Sequence, residues 1–194
     1  MTSRTGKPIV IADYDPAWPL RFEAERELIF QTCGRAPFVA IEHIGSTSVP
    51  GLAAKPIIDM MPGLRTLDDA PPLIPLLENI GYEYVPEFER PNAIDEGMPF
   101  RRYFRKDVYG ERAFHVHMGA TDHEFLRRHL LFRDWLRRHP EDAADYAVLK
   151  RRIAAEFNAA LTPTSNINIG YTDRKTEFVE GILARAEAEA KGGA

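Results

Sequence analysis

One carboxylate, Asp59, stands inside the apolar run Pro56-Ile57-Ile58-Asp59-Met60-Met61. An ionised acid among such neighbours is costly to bury, so it needs a pairing partner, a metal ion or an open cleft. Ser46 lies 13 positions earlier, in the break Gly45-Ser46-Thr47 that follows the β-branched and apolar run Phe38 to Ile44. A Gly-Ser turn leaving a strand offers backbone N–H groups and a hydroxyl to an anion such as phosphate. The same three residues also suit an ordinary strand-to-helix connection with a serine or threonine cap. What favours chemistry is Asp59 in the next strand-like run, preceded by Lys55.

A second group of donors sits in the segment Ala113 to Met118. There Phe114, Val116 and Met118 alternate with His115 and His117. Period-two alternation turns both imidazoles to one face, where they converge on one ion or serve as hydrogen-bonded wall residues. His43, beside Glu42 on the strand entering the Gly-Ser turn, is a third imidazole or a packed one. Arg133 borders an apolar helical stripe and reaches toward a cleft, as Lys150 and Lys175 do from later helices. A cleft lined by these cations holds a polyphosphate or another small anion.

The elements that must position these groups follow in order. Asp15-Pro16 opens a helix carrying Trp18, Phe22 and Ile29 that Gly34 ends. Ile9-Val10-Ile11 reads as a short strand. A second helix is expected from Asp68 or Asp69 to Gly81, made irregular by Pro75, and then a strand from Tyr82 to Val85. The acid-rich stretch 86–98 shows neither period and reads as a loop or lid. Phe100 to Lys106 and Ala113 to Met118 form a hairpin around Tyr109-Gly110. The last third is helical: a helix with Phe125, Phe132, Trp135 and Leu136 ends near His139, and Pro140 begins another. Thr162 to Gly170 is a polar connector, and Thr172 or Asp173 caps a final helix.

The totals exclude several classes. A chain of 194 residues, 44% hydrophobic and 28% charged, supports one domain with a sizeable core. A net charge of −4 gives no overall attraction to nucleic acid or anionic membranes. The basic residues also lack the aromatic interleaving of a nucleic-acid surface, so a nucleic-acid partner is not expected. The single cysteine, Cys33, excludes an internal disulfide and a cysteine-based zinc cluster. No run approaches the roughly 18–20 apolar residues that span a bilayer, and no leader is visible, so a cytoplasmic protein without a membrane partner is expected. No sustained heptad sets an oligomeric state.

The run His43-Ile44-Gly45-Ser46-Thr47-Ser48-Val49-Pro50-Gly51-Leu52, continuing through Lys55-Pro56-Ile57-Ile58-Asp59, resembles the signature of the GrpB family. So do Tyr14-Asp15-Pro16-Ala17-Trp18, His115-Val116-His117, Phe132 to Arg137, Tyr146 and Leu149-Lys150, over roughly residues 9 to 183. That family is assigned to the nucleotidyltransferase superfamily, with the fold of the polymerase-β palm. The resemblance implies an α+β fold: a small mixed β-sheet flanked by helices over residues 1–120, then a C-terminal helical subdomain, 121–194, packed on it as one compact unit. It implies that Gly45 and Ser46 match the phosphate turn and that Asp59 matches the first metal-binding acid. Met61 stands where the second acid is usual, and His115 and His117 stand on the strand of the third. One carboxylate with two imidazoles is a poor nest for two Mg²⁺ ions and better suited to one softer divalent ion.

The expectation is a nucleotide or other phosphate ester gripped by Gly45, Ser46 and Thr47, with Asp59 as the catalytic acid. Asp59, His115 and His117 would hold one divalent metal (Mn, Zn or Mg), while Lys55, Arg133 and Lys150 offset ligand charge and His43 and Lys175 stand nearby. Nucleotidyl transfer to an unnamed acceptor, nucleotide binding without transfer, and metal-dependent phosphoester hydrolysis all remain open.

Overall fold

The computed structural model describes residues 8–89, 101–161, 171 and 173–192. The described residues form five strands: β1 (Phe38–Ile44), β2 (Ile58–Leu64), β3 (Glu83–Tyr84), β4 (Arg102–Val108) and β5 (Glu111–Ala120). They form one sheet in the order β1-β2-β5-β4-β3. β2 runs parallel to β5, and every other neighbouring pair is antiparallel. The chain is therefore α+β with a mixed sheet and flanking helices, as expected.

One face of the sheet is closed by α1 (Ala17–Cys33) and α2 (Ile74–Asn79). Trp18, Phe22 and Ile29 of α1 pack with Ile58, Met60, Phe104, Val116 and Met118 in the main core. Ile29 is fully buried, so Ile29→Ala would cost about 2–5 kcal/mol. α1 begins as its sequence dictates, with Asp15 Oδ1 accepting the Ala17 N–H at 2.8 Å. Gly34 ends it at φ 74°, a conformation open to glycine without strain.

Two local expectations are revised. The stretch from Asp68 to Gly81 is not one helix but two 3₁₀ turns, Leu67–Asp69 and Pro71–Leu73, followed by α2. Pro71, Pro72 and Pro75 lack the N–H donors a continuous helix needs. Ile9 to Ile11 is no strand either. Among the described residues only Ala12 forms a bridge there, to Ala54, while the Asn158 side chain takes the Ile9 N–H at 2.7 Å and donates to its carbonyl at 2.9 Å. An amide side chain thus supplies what a neighbouring strand would have supplied. The hairpin forms at Tyr109-Gly110, both with positive φ. Residues 90–98 of the expected loop, the connector 162–170 and Thr172 lie outside the described residues.

The second face is covered only in part. The first turns of α3 (Glu124–Arg138) bury Phe125 and Leu126 against Ile44 and Met61, over the β1–β2 side. α4 (Pro140–Ala159) and α5 (Thr176–Gly192) join α3 in a cluster with Val49, Leu52 and Ala53. The segment after the Gly-Ser turn is thereby threaded into the helices. Among the described residues, no helix is long and apolar enough to cross a membrane.

Candidate metal and anion site

Asp59 faces the half-open side of the sheet because Ile58 and Met60, its strand neighbours, face the core. Its register partner on the parallel strand β5 is His115. Two residues on, His117 shares that face. The result is a carboxylate and two imidazoles whose ligand atoms all lie within 4.8 Å of one another. His115 Nδ1 is 3.1 Å from Asp59 Oδ1, and His117 Nε2 is 3.8 Å from the same oxygen.

Burial alone would raise the Asp59 carboxyl, but the His115 hydrogen bond and the adjoining imidazoles outweigh it. The group sits well below the ordinary carboxylate range. Burial draws His117 down to about 3 against the opposing pull of Asp59, so its imidazole is neutral at physiological pH. Its Nδ1 is buried with no hydrogen-bond partner among the described residues, and 3.8 Å is too long for a hydrogen bond from Nε2. A neutral imidazole whose Nε2 is held by no close partner, next to an ionised carboxylate, is donor chemistry that suits a divalent ion. The residues present therefore fit one such ion.

Gly45 closes this centre from above. Its φ is 70°, and a Cβ added there would overlap Asp59 Oδ2. Only glycine lets the backbone of the turn approach the carboxylate so closely. Ser46 borders the Tyr146 hydroxyl. Thr47 points the other way: its hydroxyl donates to the Ile57 carbonyl at 3.2 Å and accepts from His43 Nε2 at 3.0 Å. His43 is stacked on Phe22 at 4.7 Å between ring centroids and drawn down to about 4, chiefly by burial. Both residues hold the turn in place from behind.

The cations divide as well. Arg133 gives Nη1 to Glu42 at 2.7 Å and to the His43 carbonyl at 3.1 Å, and Nε to Asp134 at 2.7 Å. Its charge is spent within the scaffold, away from Asp59. Lys150 is 3% exposed, donates to the Ala53 carbonyl and lies 4.5 Å from the Tyr146 ring centroid. Burial, and then the nearby Lys175, pull its pKa to about 7. Lys175 falls to about 8 by burial, partly opposed by the field of Asp59. Lys175 and Lys55 flank the Tyr171 ring at 4.4 and 4.1 Å. Neither Lys150 nor Lys175 has a carboxylate partner among the described residues.

Two residues of this centre were not anticipated. The Tyr103 ring stands 5.6 Å from that of His115 and 5.2 Å from that of His117, and burial lifts its hydroxyl to about 12. His129 of α3 lies 6.3 Å from His117 by ring centroids, with Nδ1 2.8 Å from the Phe125 carbonyl. Its sequence signal was slight: one more histidine in a basic helix.

A family model described as GrpB protein matches residues 8–185. The chain is 41% identical over 180 residues to UPF0157 protein PA4798 of Pseudomonas aeruginosa, covering 93% of this chain and 68% of that protein. It is 35% identical over 186 residues to UPF0157 protein YqkA of Bacillus subtilis, covering 96% of this chain. It spans about half of that second relative's length (49%). Among solved structures, conserved protein GrpB from Enterococcus faecalis superposes with a TM-score of 0.77 at 36% identity, covering 93% of this chain and 99% of that one.

Proposed function

The chain belongs to the GrpB family, and from that premise we propose that it binds a nucleotide or similar phosphate ester together with one divalent ion. Asp59 Oδ1, His115 Nδ1 and His117 Nε2 hold the ion. The convergence of these three donors within 4.8 Å, beneath the Gly45 turn, is the observation that carries this reading. Nitrogen-rich ligation favours Zn²⁺ or Mn²⁺ over Mg²⁺. When bound, the ion supplies Lewis-acid charge at a phosphoryl oxygen.

The chain's own groups do the rest. Asp59 stays ionised and His117 stays neutral, so neither must lose a proton before ligating. For ligation through Nδ1, His115 carries its proton on Nε2. The Gly45 backbone and the Ser46 hydroxyl border the ligand, and the ammonium groups of Lys150, Lys175 and Lys55 balance its charge. Tyr103 keeps its proton at neutral pH and remains a donor. Since Lys150 and Lys175 are depressed when no anion is bound, an arriving phosphate raises them and draws in protons.

Calorimetric titration with Mn²⁺ or Zn²⁺, and then with nucleoside triphosphate, tests the reading. One ion per chain is expected, with both ion binding and ion-dependent nucleotide binding abolished in Asp59→Asn. Unchanged affinities in that variant would refute the assignment. A second reading is binding without transfer. It is favoured by Met61, which is 1% exposed and packed with Ile44 and Phe125, so that Asp59 stands without a companion acid two residues on. Pyrophosphate release with an added acceptor would decide for transfer; tight binding with no release would decide for the binder.

A further inference from the structure

A second cleft, of about 530 Å³, opens at the outer edge of the sheet between α1 and α3. Its volume falls within the usual range of small-molecule sites. Among the described residues β1 is an edge strand paired only with β2, and its residues Ile41 to His43 line the cleft. Tyr14 and Pro19 stand on one side and Arg133 and Arg137 on the other, with Arg26 reaching in from α1.

The donors in this cleft outnumber its acceptors. Arg133 is matched by Glu42 and Asp134. Arg137 spends Nε and Nη2 on one neutral acceptor, the Ser48 carbonyl, at 3.1 and 2.9 Å. Its acid contact, Asp134, is 3.7 Å away and already held by Arg133. Arg26 pairs with Glu23, yet its Nε is buried with no acceptor among the described residues. A buried guanidinium N–H without an acceptor is expensive, and the Arg26 side chain that carries it lines the cleft. Burial, and after it the neighbouring Arg133, pull Arg137 below its ordinary value, against the opposing pull of Asp134 and Glu42.

We propose that this cleft binds the compact oxyanion of a small molecule, a carboxylate or a phosphate monoester, between Arg137 and Arg26. A guanidinium offers paired N–H donors that match either group, and Arg137 has no close acid of its own, Asp134 standing 3.7 Å away. The site is separate from the Asp59 centre: none of its lining residues ligates there, and its cations are guanidinium rather than ammonium.

The test is a titration of the full-length ¹⁵N-labelled chain with inorganic phosphate, and separately with acetate, at constant ionic strength. Saturable amide shifts are expected at Glu23, Ile41, His43 and Ser48 with at least one of the two probes, and the stronger probe identifies the class. Arg26→Gln and Arg137→Gln should each weaken that binding at least tenfold, while Asp59→Asn leaves it unchanged. Because Arg137 also secures the turn, Arg26→Gln decides the matter if the other variant unfolds. Shifts confined to the surroundings of Asp59 and Lys175, non-saturating shifts, or full affinity in Arg26→Gln would overturn the proposal.

Discussion

The turn Ser46–Ser48 has two cationic flanks, and they differ in how their charge is met. On the arginine flank, Arg133 and Arg137 grip the His43 and Ser48 carbonyls, and Glu42 and Asp134 neutralise most of what remains. On the lysine flank, the buried Lys150 and the half-buried Lys175 stand beside tyrosine rings with no carboxylate partner among the described residues. Both flanks are equally positive in sequence. Only the second is short of counter-charge on the scale of a polyphosphate, while the first keeps donors for one small anion. The supply of counter-ions, rather than the sign of the charge, separates a binding wall from a clamp.

Perturbing the turn they share should give the largest effect. Gly45→Ala combines a left-handed backbone with a Cβ pressed into the Asp59 carboxylate. Loss of divalent-ion binding is expected, with roughly 1–3 kcal/mol of stability lost in urea unfolding. A variant that binds the ion with native affinity would show that the close approach is irrelevant. Next, the flanks should respond in opposite ways. Arg133→Gln should cost about 1–3 kcal/mol of stability with nucleotide affinity nearly unchanged. Lys175→Gln should weaken nucleotide binding about tenfold, or ~1.4 kcal/mol, with stability nearly unchanged. The reverse pattern would break the comparison.

Smaller effects sharpen it. At pH 8, nucleotide binding should take up protons, seen as a dependence of the calorimetric heat on buffer ionisation enthalpy. The folded Lys150 value of about 7 lies below its ordinary 10.5. Between those limits the unfolded chain holds a proton that the folded chain does not. The Lys150 contribution therefore makes the ligand-free protein more stable as pH rises from 7 to 10. Lys150→Met should flatten that rise in thermal melts; an unchanged slope would place the depression elsewhere.

Much of the fold was legible because its signals are local. Asp15-Pro16 and Gly34 bracket α1, and Tyr109-Gly110 marks the hairpin. The alternation at 114–118 put both imidazoles on one face. Non-local partners were not legible. The sequence shows the charge of Arg133, but Glu42 lies 91 positions earlier and nothing in the helix announces it. Tyr103 was hidden by a single bulge. Counted from the turn, it would face Val116, but the register shifts between Lys106 and Asp107 and seats it opposite His117. Three prolines likewise broke a helix that apolar spacing alone would have continued.

Asp59, His115 and His117 are proposed to form one ion site beneath Gly45. Anomalous diffraction from crystals of the chain soaked in Mn²⁺ or Zn²⁺ tests it most directly. One strong peak per chain is expected, within coordination distance of Asp59 Oδ1, His115 Nδ1 and His117 Nε2. A peak elsewhere, or none at ion concentrations that saturate the protein in solution, would contradict it.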